Sequence, residues 1–269
     1  MTAAFSAEWL ALREPFDRAA RRESAALLDL QAMAARLRGG DPALCVIDLA
    51  CGTGANLREL APRLGGTQRW LLVDHDPRLL AALPEVLEGP GWHAKARPLH
   101  IDLAAALDAV PFREAQLITA SALLDLVSAS WLDALLRHVR AANAAVLFAL
   151  NVDGRVVWEP GLAGDAEVHE LFAAHQRRDK GFGPALGAEA VALAIARLDA
   201  MGYSVTQVRS DWCIEDPVML RAMIEGMAAA ALEQEADAQE RAEAWKARRL
   251  ALADCTCLRV GHQDVLAMP

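Results

Sequence analysis

Val46-Ile47-Asp48-Leu49-Ala50-Cys51-Gly52-Thr53-Gly54 decides the fold. The apolar run around Asp48 reads as a buried strand that enters a glycine turn, and Ala55-Asn56-Leu57-Arg58-Glu59-Leu60 then opens a helix. The two glycines let backbone N–H groups approach a ligand closely. About 20 residues further on, a second apolar strand, Trp70-Leu71-Leu72-Val73-Asp74, ends in an acid that suits a ribose diol. This spacing predicts a pocket for a nucleoside cofactor. A tight strand–helix turn without a ligand is the plain alternative.

Two wordings of that geometry exist. Dinucleotide-binding enzymes place a third glycine where this chain has Leu57, because that glycine packs the helix on the strand. Asp48-Leu49-Ala50-Cys51-Gly52-Thr53-Gly54 instead resembles the first motif of the class I S-adenosylmethionine (SAM)-dependent methyltransferases. The resemblance implies that Asp48 lies near the amino acid end of SAM, and that Ala50, Cys51, Gly52, Thr53, Gly54 and Asn56 surround its methionine and ribose. It implies that Asp74 holds the ribose, with His75 beside the adenine. His100-Ile101-Asp102-Leu103 resembles the adenine-holding segment, with Asp102 accepting from the exocyclic amine. Leu117 to Leu126 resembles the strand and edge that flank the transferred methyl group, Ser121 included. The resemblance covers residues 44–151 in detail and the remainder as topology.

Composition bounds the class. A 269-residue chain is long enough for one α/β domain with additions. Its net charge of −9 argues against nucleic acid as the main partner. No apolar run approaches the length of a membrane span, and no signal-peptide core opens the chain, so a cytoplasmic location is expected. The five cysteines form no paired C-x-x-C knuckle, so no metal is expected and reduced thiols are the plain reading.

Strand and helix patterns alternate, which implies a mostly parallel sheet covered on both faces. Strands are predicted near 44–50, 69–74, 97–101, 115–121 and 144–150, a sixth at 203–208 and a last one at 256–260. With the resemblance, the expected fold is an α/β Rossmann-like class I methyltransferase with a mostly parallel seven-stranded sheet. Residues 1–40 read as an N-terminal helical extension, either a lid or a helix on the sheet edge, and Ala25–Leu37 as the first helix of the core. Residues 41–210 read as the cofactor-binding core, with a substrate-side segment at 151–186. Asp153-Gly154-Arg155 reads as a turn, and Asp165 as the N-cap of a short helix. A helical insert at 211–254 precedes the last strand in 255–269, suited to a substrate cap or a homodimer contact.

Ligands in open α/β sheets sit beyond the carboxyl ends of the strands. Methyl transfer from the sulfonium is an in-line displacement that positioning and exclusion of water can accelerate. A general base is needed only where the acceptor must lose a proton. Asp125, His175 and Asp153 are the candidate catalytic residues, each with a capping, surface or turn role as its alternative. Asn151, Arg155, Arg177 and Lys180 are candidates for the acceptor, the basic three suiting a carboxylate or phosphate, unless they belong to a solvated helix end. The function expected is transfer of a methyl group to oxygen, nitrogen or carbon of a small molecule, leaving S-adenosylhomocysteine (SAH). The alternatives are a non-catalytic SAM-binding regulatory partner and a nucleotide-cofactor oxidoreductase.

Overall fold

The structure, a computed structural model, describes residues 6–269, so the first five residues of the expected N-terminal extension lie outside the described residues. The strands are β1 (Leu44–Leu49), β2 (Gly66–Asp74), β3 (Val86–Gly89), β4 (Trp92–His100), β5 (Leu117–Ser121), β6 (Ala145–Glu159), β7 (Ser204–Arg209), β8 (Trp212–Ile214) and β9 (Cys257–Met268). The helices are α1 (Ala7–Leu27), α2 (Leu30–Arg38), α3 (Ala55–Leu64), α4 (Pro77–Ala81), α5 (Ala129–Ala142), α6 (Asp165–Gln176), α7 (Ala190–Ala200), α8 (Pro217–Gln234) and α9 (Gln239–Ala251).

The sheet runs β3-β4-β2-β1-β5-β6-β9-β7, and β8 pairs with β9. β1 sits at its centre, in parallel register with β2 (Leu44↔Gln68 to Leu49↔Val73) and β5 (Val46↔Leu117 to Leu49↔Ala120). Helices cover both faces, so the central strands are apolar on both sides rather than alternating. On one face Leu132, Leu135 and Val139 of α5 and Leu198 of α7 pack against Ile47, Ile118 and Phe148. On the other, Met33 of α2 and Leu57, Leu60 and Leu64 of α3 pack against Val46, Leu72 and Leu117. Leu57 is fully buried there, and its side chain fills the place a third glycine would leave open.

The seven expected strands are present, with β3 and β8 added. β3 is a short antiparallel edge on β4, and β8 is a short partner of β9. The expected first core helix is in fact split. α1 continues to Leu27, and Asp29 caps a separate α2 by accepting from Ala32 N at 2.9 Å. The N-cap of α6 is Gly164, with Asp165 its first residue.

The expected turn at Asp153-Gly154-Arg155 is not a turn. β6 runs straight through it to Glu159, pairing first with β5 and then antiparallel with β9. Register shifts between Phe148 and Asn151 and between Val152 and Val156 absorb the irregular residues, with Gly154 at φ 84°. Turn chemistry and bulge chemistry use the same residue types, because both need a left-handed backbone.

The outer parts of β6 and β9, with β8, thus form a ribbon beyond the main sheet. A third core lies on it, uniting Trp158, Trp212, Ile214 and Leu258 with Phe16 and Ala20 of α1, Val168 of α6, Ile224 of α8 and Trp245 of α9. Arg249 clamps this cap. Its guanidinium is completely buried, lies 4.5 Å from the centre of the Trp158 ring, and gives Nη1 to Pro160 O at 2.8 Å. Asp165 accepts from Arg249 Nε at 3.0 Å and from Trp245 Nε1 at 2.8 Å, and pairs with Arg249 Nη2. Removing one partner of a buried pair leaves a charge with no compensation. Asp165→Ala should lower unfolding stability by about 3–5 kcal/mol in denaturant titration, and adding Arg249→Met should recover part of that loss.

Candidate active site

The carboxyl ends of three neighbouring parallel strands share an unusual backbone. Ala50 after β1, Ala122 after β5 and Leu150 in β6 all lie in the left-handed region, at φ 52°, 53° and 55°. Such residues cost roughly 1–3 kcal/mol each and cluster at functional sites where the surroundings impose them. Each is pinned by a hydrogen bond at or beside it: Cys51 N to Val73 O at 3.0 Å, Ala122 N to Ala149 O at 2.9 Å, and Leu150 N to Asp264 Oδ1 at 2.8 Å. Asp264 also accepts from Ser210 Oγ at 2.6 Å and Ser24 Oγ at 2.8 Å.

At the end of β1 the side chain of Asp48 is fully buried. Oδ1 accepts from Asn56 Nδ2 at 2.7 Å, and Oδ2 has no donor among the described residues. Burial drives its pKa up to about 7, against the pull of Asn56 and Arg21. Asn56 spends its polar atoms on the frame, also giving Nδ2 to Thr119 Oγ1 at 3.1 Å and accepting from Arg21 Nη1 at 2.8 Å. It therefore orients Asp48.

Asp74 holds the glycine turn to β2, since its Oδ2 accepts from Gly52 N at 2.8 Å and its Oδ1 from Asp76 N at 3.0 Å. His75 Nδ1 lies 3.3 Å from Asp74 Oδ1, and its carbonyl lies 2.8 Å from His100 Nε2. At the end of β4, Ile101 N donates to Asp74 O at 3.0 Å, and Asp102 Oδ1 accepts from Ala104 N at 2.9 Å. Leu103 packs its side chain into the core, and its carbonyl accepts from Trp131 Nε1 at 2.8 Å. The buried thiol of Cys51 is driven strongly upward in pKa by burial, which leaves it an uncharged packing group.

α1 covers this crevice. A Cβ at Gly52 would lie 3.3 Å from Leu10 Cδ1, so the helix rests on the glycine turn itself. Arg58 fastens it, giving Nε and Nη2 to Glu14 at 2.8 and 2.6 Å and Nη1 to Thr53 O at 2.6 Å. Beneath α1 remains a cavity of about 20 Å³ bordered by Asp17, Arg21, Asn56, Ser121 and Leu150. It holds about one water.

The acceptor-side candidates separate. Asp125 lies in a 3-10 turn directly after β5, buried, with Oδ1 unpartnered among the described residues and its pKa pushed up to about 6 by burial. Ser121 borders the cavity. Asn151 stitches the bulge, giving Nδ2 to Phe148 O and Gln263 O, both at 3.1 Å. Asp153 and Arg155 belong to the ribbon, where Arg155 also binds Asp211 at 2.7 and 2.9 Å. His175 joins α6 to α8 through Glu233 at 3.1 Å and is not brought to the cavity. Arg177 and Lys180 follow α6, without an ion pair among the described residues.

Four residues near α1 carry no motif and escape a reading of the sequence. Arg13 binds Asp17 at 2.9 and 3.1 Å and stacks on Trp212, which gives Nε1 to Asp17 at 3.0 Å. The ring of His262 packs 4.9 Å from Trp212, and burial with the Arg13 charge lowers its pKa to about 4. Their spacing in the chain, Trp212 standing 195 residues from Asp17, leaves no local signal.

The family described as methyltransferase domain matches residues 46–144. The whole chain superposes on a cyclopropane-fatty-acyl-phospholipid synthase-like protein from Lactobacillus casei with a TM-score of 0.52 at 16% identity, covering 97% of this chain and 94% of that one. A SAM-dependent methyltransferase from Geobacter sulfurreducens, in complex with SAH, aligns at 15% identity over 90% of both chains with a TM-score of 0.43. The cyclopropane synthase MmaA2 from Mycobacterium tuberculosis aligns at 13% identity over 88% of this chain and 83% of that one, with a TM-score of 0.45. No curated protein matches the sequence. Residues 46–144 thus match a methyltransferase domain, and the chain as a whole has the Rossmann-like class I methyltransferase fold.

Proposed function

We propose that the chain binds SAM across the ends of β1, β2 and β4 and directs its methyl group to a small-molecule acceptor at the ends of β5 and β6. The observation that carries this reading is the unpartnered, buried Oδ2 of Asp48 at the end of β1. A buried carboxylate oxygen without a donor is costly, and the ammonium of the cofactor's amino acid end supplies both a donor and a charge. Asp74 and the Gly52–Gly54 turn stand beside it, where a ribose needs an acceptor and a close backbone. Asp102 keeps Oδ2 for an exocyclic amine, and Ile101 and His75 border the same edge. When bound, SAM supplies an electrophilic methyl group, and the protein positions the nucleophile and excludes water.

The N-terminal extension acts as a lid in this reading. Leu10 rests on Gly52, so the first turns of α1 lift before the cofactor reaches the glycine turn. Pro15 lies inside α1 and lacks the N–H that would bond its preceding turn, which makes a hinge beside the Glu14–Arg58 pair. An anionic group on the acceptor would be met by Arg177 and Lys180, since Arg155 is committed to Asp153 and Asp211. The closed crevice also favours a second reading, a SAM-binding regulatory protein whose acceptor side never opens.

Calorimetric titration with SAH, with NADH as the control, tests the cofactor; micromolar binding of SAH alone is the expected outcome, and binding of NADH alone would replace methyl transfer by hydride transfer. Glu14→Gln removes the charge that fastens α1 to Arg58. In stopped-flow mixing it should speed SAH association severalfold, whereas an unchanged rate would favour the permanently closed reading. Asp48 also makes stability pH-dependent. Its pKa is raised in the folded chain, so the stability it contributes is present in full below roughly pH 4. That contribution is lost as pH rises through about 7. Asp48→Asn keeps an oxygen for Asn56 but cannot ionise, and should flatten the fall in Tm across that window in thermal melts at stepped pH.

A further inference from the structure

We infer that the acceptor is an amine, and that Asp125 Oδ1 receives its N–H at the end of β5. The inference rests on the methyltransferase reading and names the chemistry its acceptor brings.

Asp125 is 9% exposed, and Oδ1 finds no donor among the described residues. Little of the carboxylate reaches water. Leu123, Leu124 and Val127 on either side are locked in the main core, which fixes the 3-10 turn and hence the direction of the side chain. A rigid, buried acceptor at the ligand end of a strand is an interaction waiting for a donor.

The neighbouring cations are already spent. Arg13, the charged group of α1 whose field reaches Asp125, is bound to Asp17 through two nitrogens and stacked on Trp212. Arg58 is bound to Glu14, Arg18 to Glu14 and Glu59, and Arg21 to Asn56. Glu59 on α3 is met by Arg63, so among the described residues two buried carboxylate oxygens remain unpaired at the strand ends, Asp48 Oδ2 and Asp125 Oδ1. The first answers to the cofactor's ammonium under the proposed function, which leaves the second for the acceptor.

The type of donor follows from charge. A carbon acceptor brings no N–H and leaves Oδ1 orphaned. A hydroxyl brings a hydrogen bond without a charge. An ammonium satisfies the oxygen and neutralises the carboxylate together. Its proton must then leave, because a protonated nitrogen has no free electron pair. Burial places the Asp125 pKa at about 6, close enough to neutrality to exchange a proton. The N–H bond breaks and its proton passes to Asp125. The freed nitrogen pair forms the N–C bond to the methyl group as the C–S bond breaks, and the C–S bonding pair goes to sulfur, leaving the neutral thioether of SAH. The product leaves as an N-methylammonium, and Asp125 loses its proton to solvent.

The test uses the full chain with methyl-labelled SAM and the low-mass fraction of a cell extract, the labelled products being sequenced by fragmentation in mass spectrometry. Label on nitrogen is expected. Label on oxygen or carbon overturns the amine inference while leaving methyl transfer standing. Absence of SAH binding, or SAH binding without any labelled product, overturns the methyltransferase reading and this inference with it. With the labelled acceptor in hand, its calorimetric affinity for the SAH-loaded protein should fall at least tenfold in Asp125→Asn, with SAH affinity unchanged. The acidic limb of the kcat/KM pH profile should vanish in the same variant. An unchanged acceptor affinity and an unchanged limb would remove Asp125 from the acceptor site.

Discussion

The carboxylate of Asp264 is where four segments of the chain meet. From β9 it accepts from the Leu150 amide in β6, from Ser210 between β7 and β8, and from Ser24 near the end of α1. The Leu150 amide finds a partner there in its left-handed backbone, and Ser24 adds an anchor for α1 beyond the one Arg58 supplies. The strain at the ligand end of the sheet and the position of its cover therefore share one support. Such buried polar junctions specify a single arrangement when every member is satisfied, and Asp264 has both oxygens engaged.

The cofactor side was legible because its chemistry is local. A strand, a glycine turn and a helix start need only nine consecutive residues, Val46 to Gly54, to declare themselves. Asp74 follows in the next strand for the same reason. Even there, function and frame are hard to separate by reading: Asn56 sits in the motif yet orients Asp48, and Leu103 sits in the adenine segment yet packs in the core. Side-chain direction at a strand end depends on the neighbouring strand, which no spacing encodes.

On the proposed acceptor side, of the charged candidates only Asp125 is left buried with an oxygen free, and the structure commits several of the others elsewhere. Arg155 reads as free positive charge until Asp211, 56 residues later, is placed against it. His175 likewise meets Glu233 from a different helix, 58 residues on. The ribbon hid itself in the same way, since Asp153-Gly154-Arg155 supplies the residues of a turn to a strand that only bulges. Long-range pairing decided each case, and local propensity could not.

β9 lies between β6 and β7 in the sheet although it is the last strand in the chain. Until it arrives, β7 has no neighbour, β6 has an open edge, and neither Leu150 nor Ser24 has Asp264 to bind. Contacts of such long sequence separation form late because the intervening chain must first be ordered. A nascent chain thus carries its recognisable motif long before it carries a site. The crevice takes its shape only once β9 is in place beside β6, and its chemistry waits on that pairing.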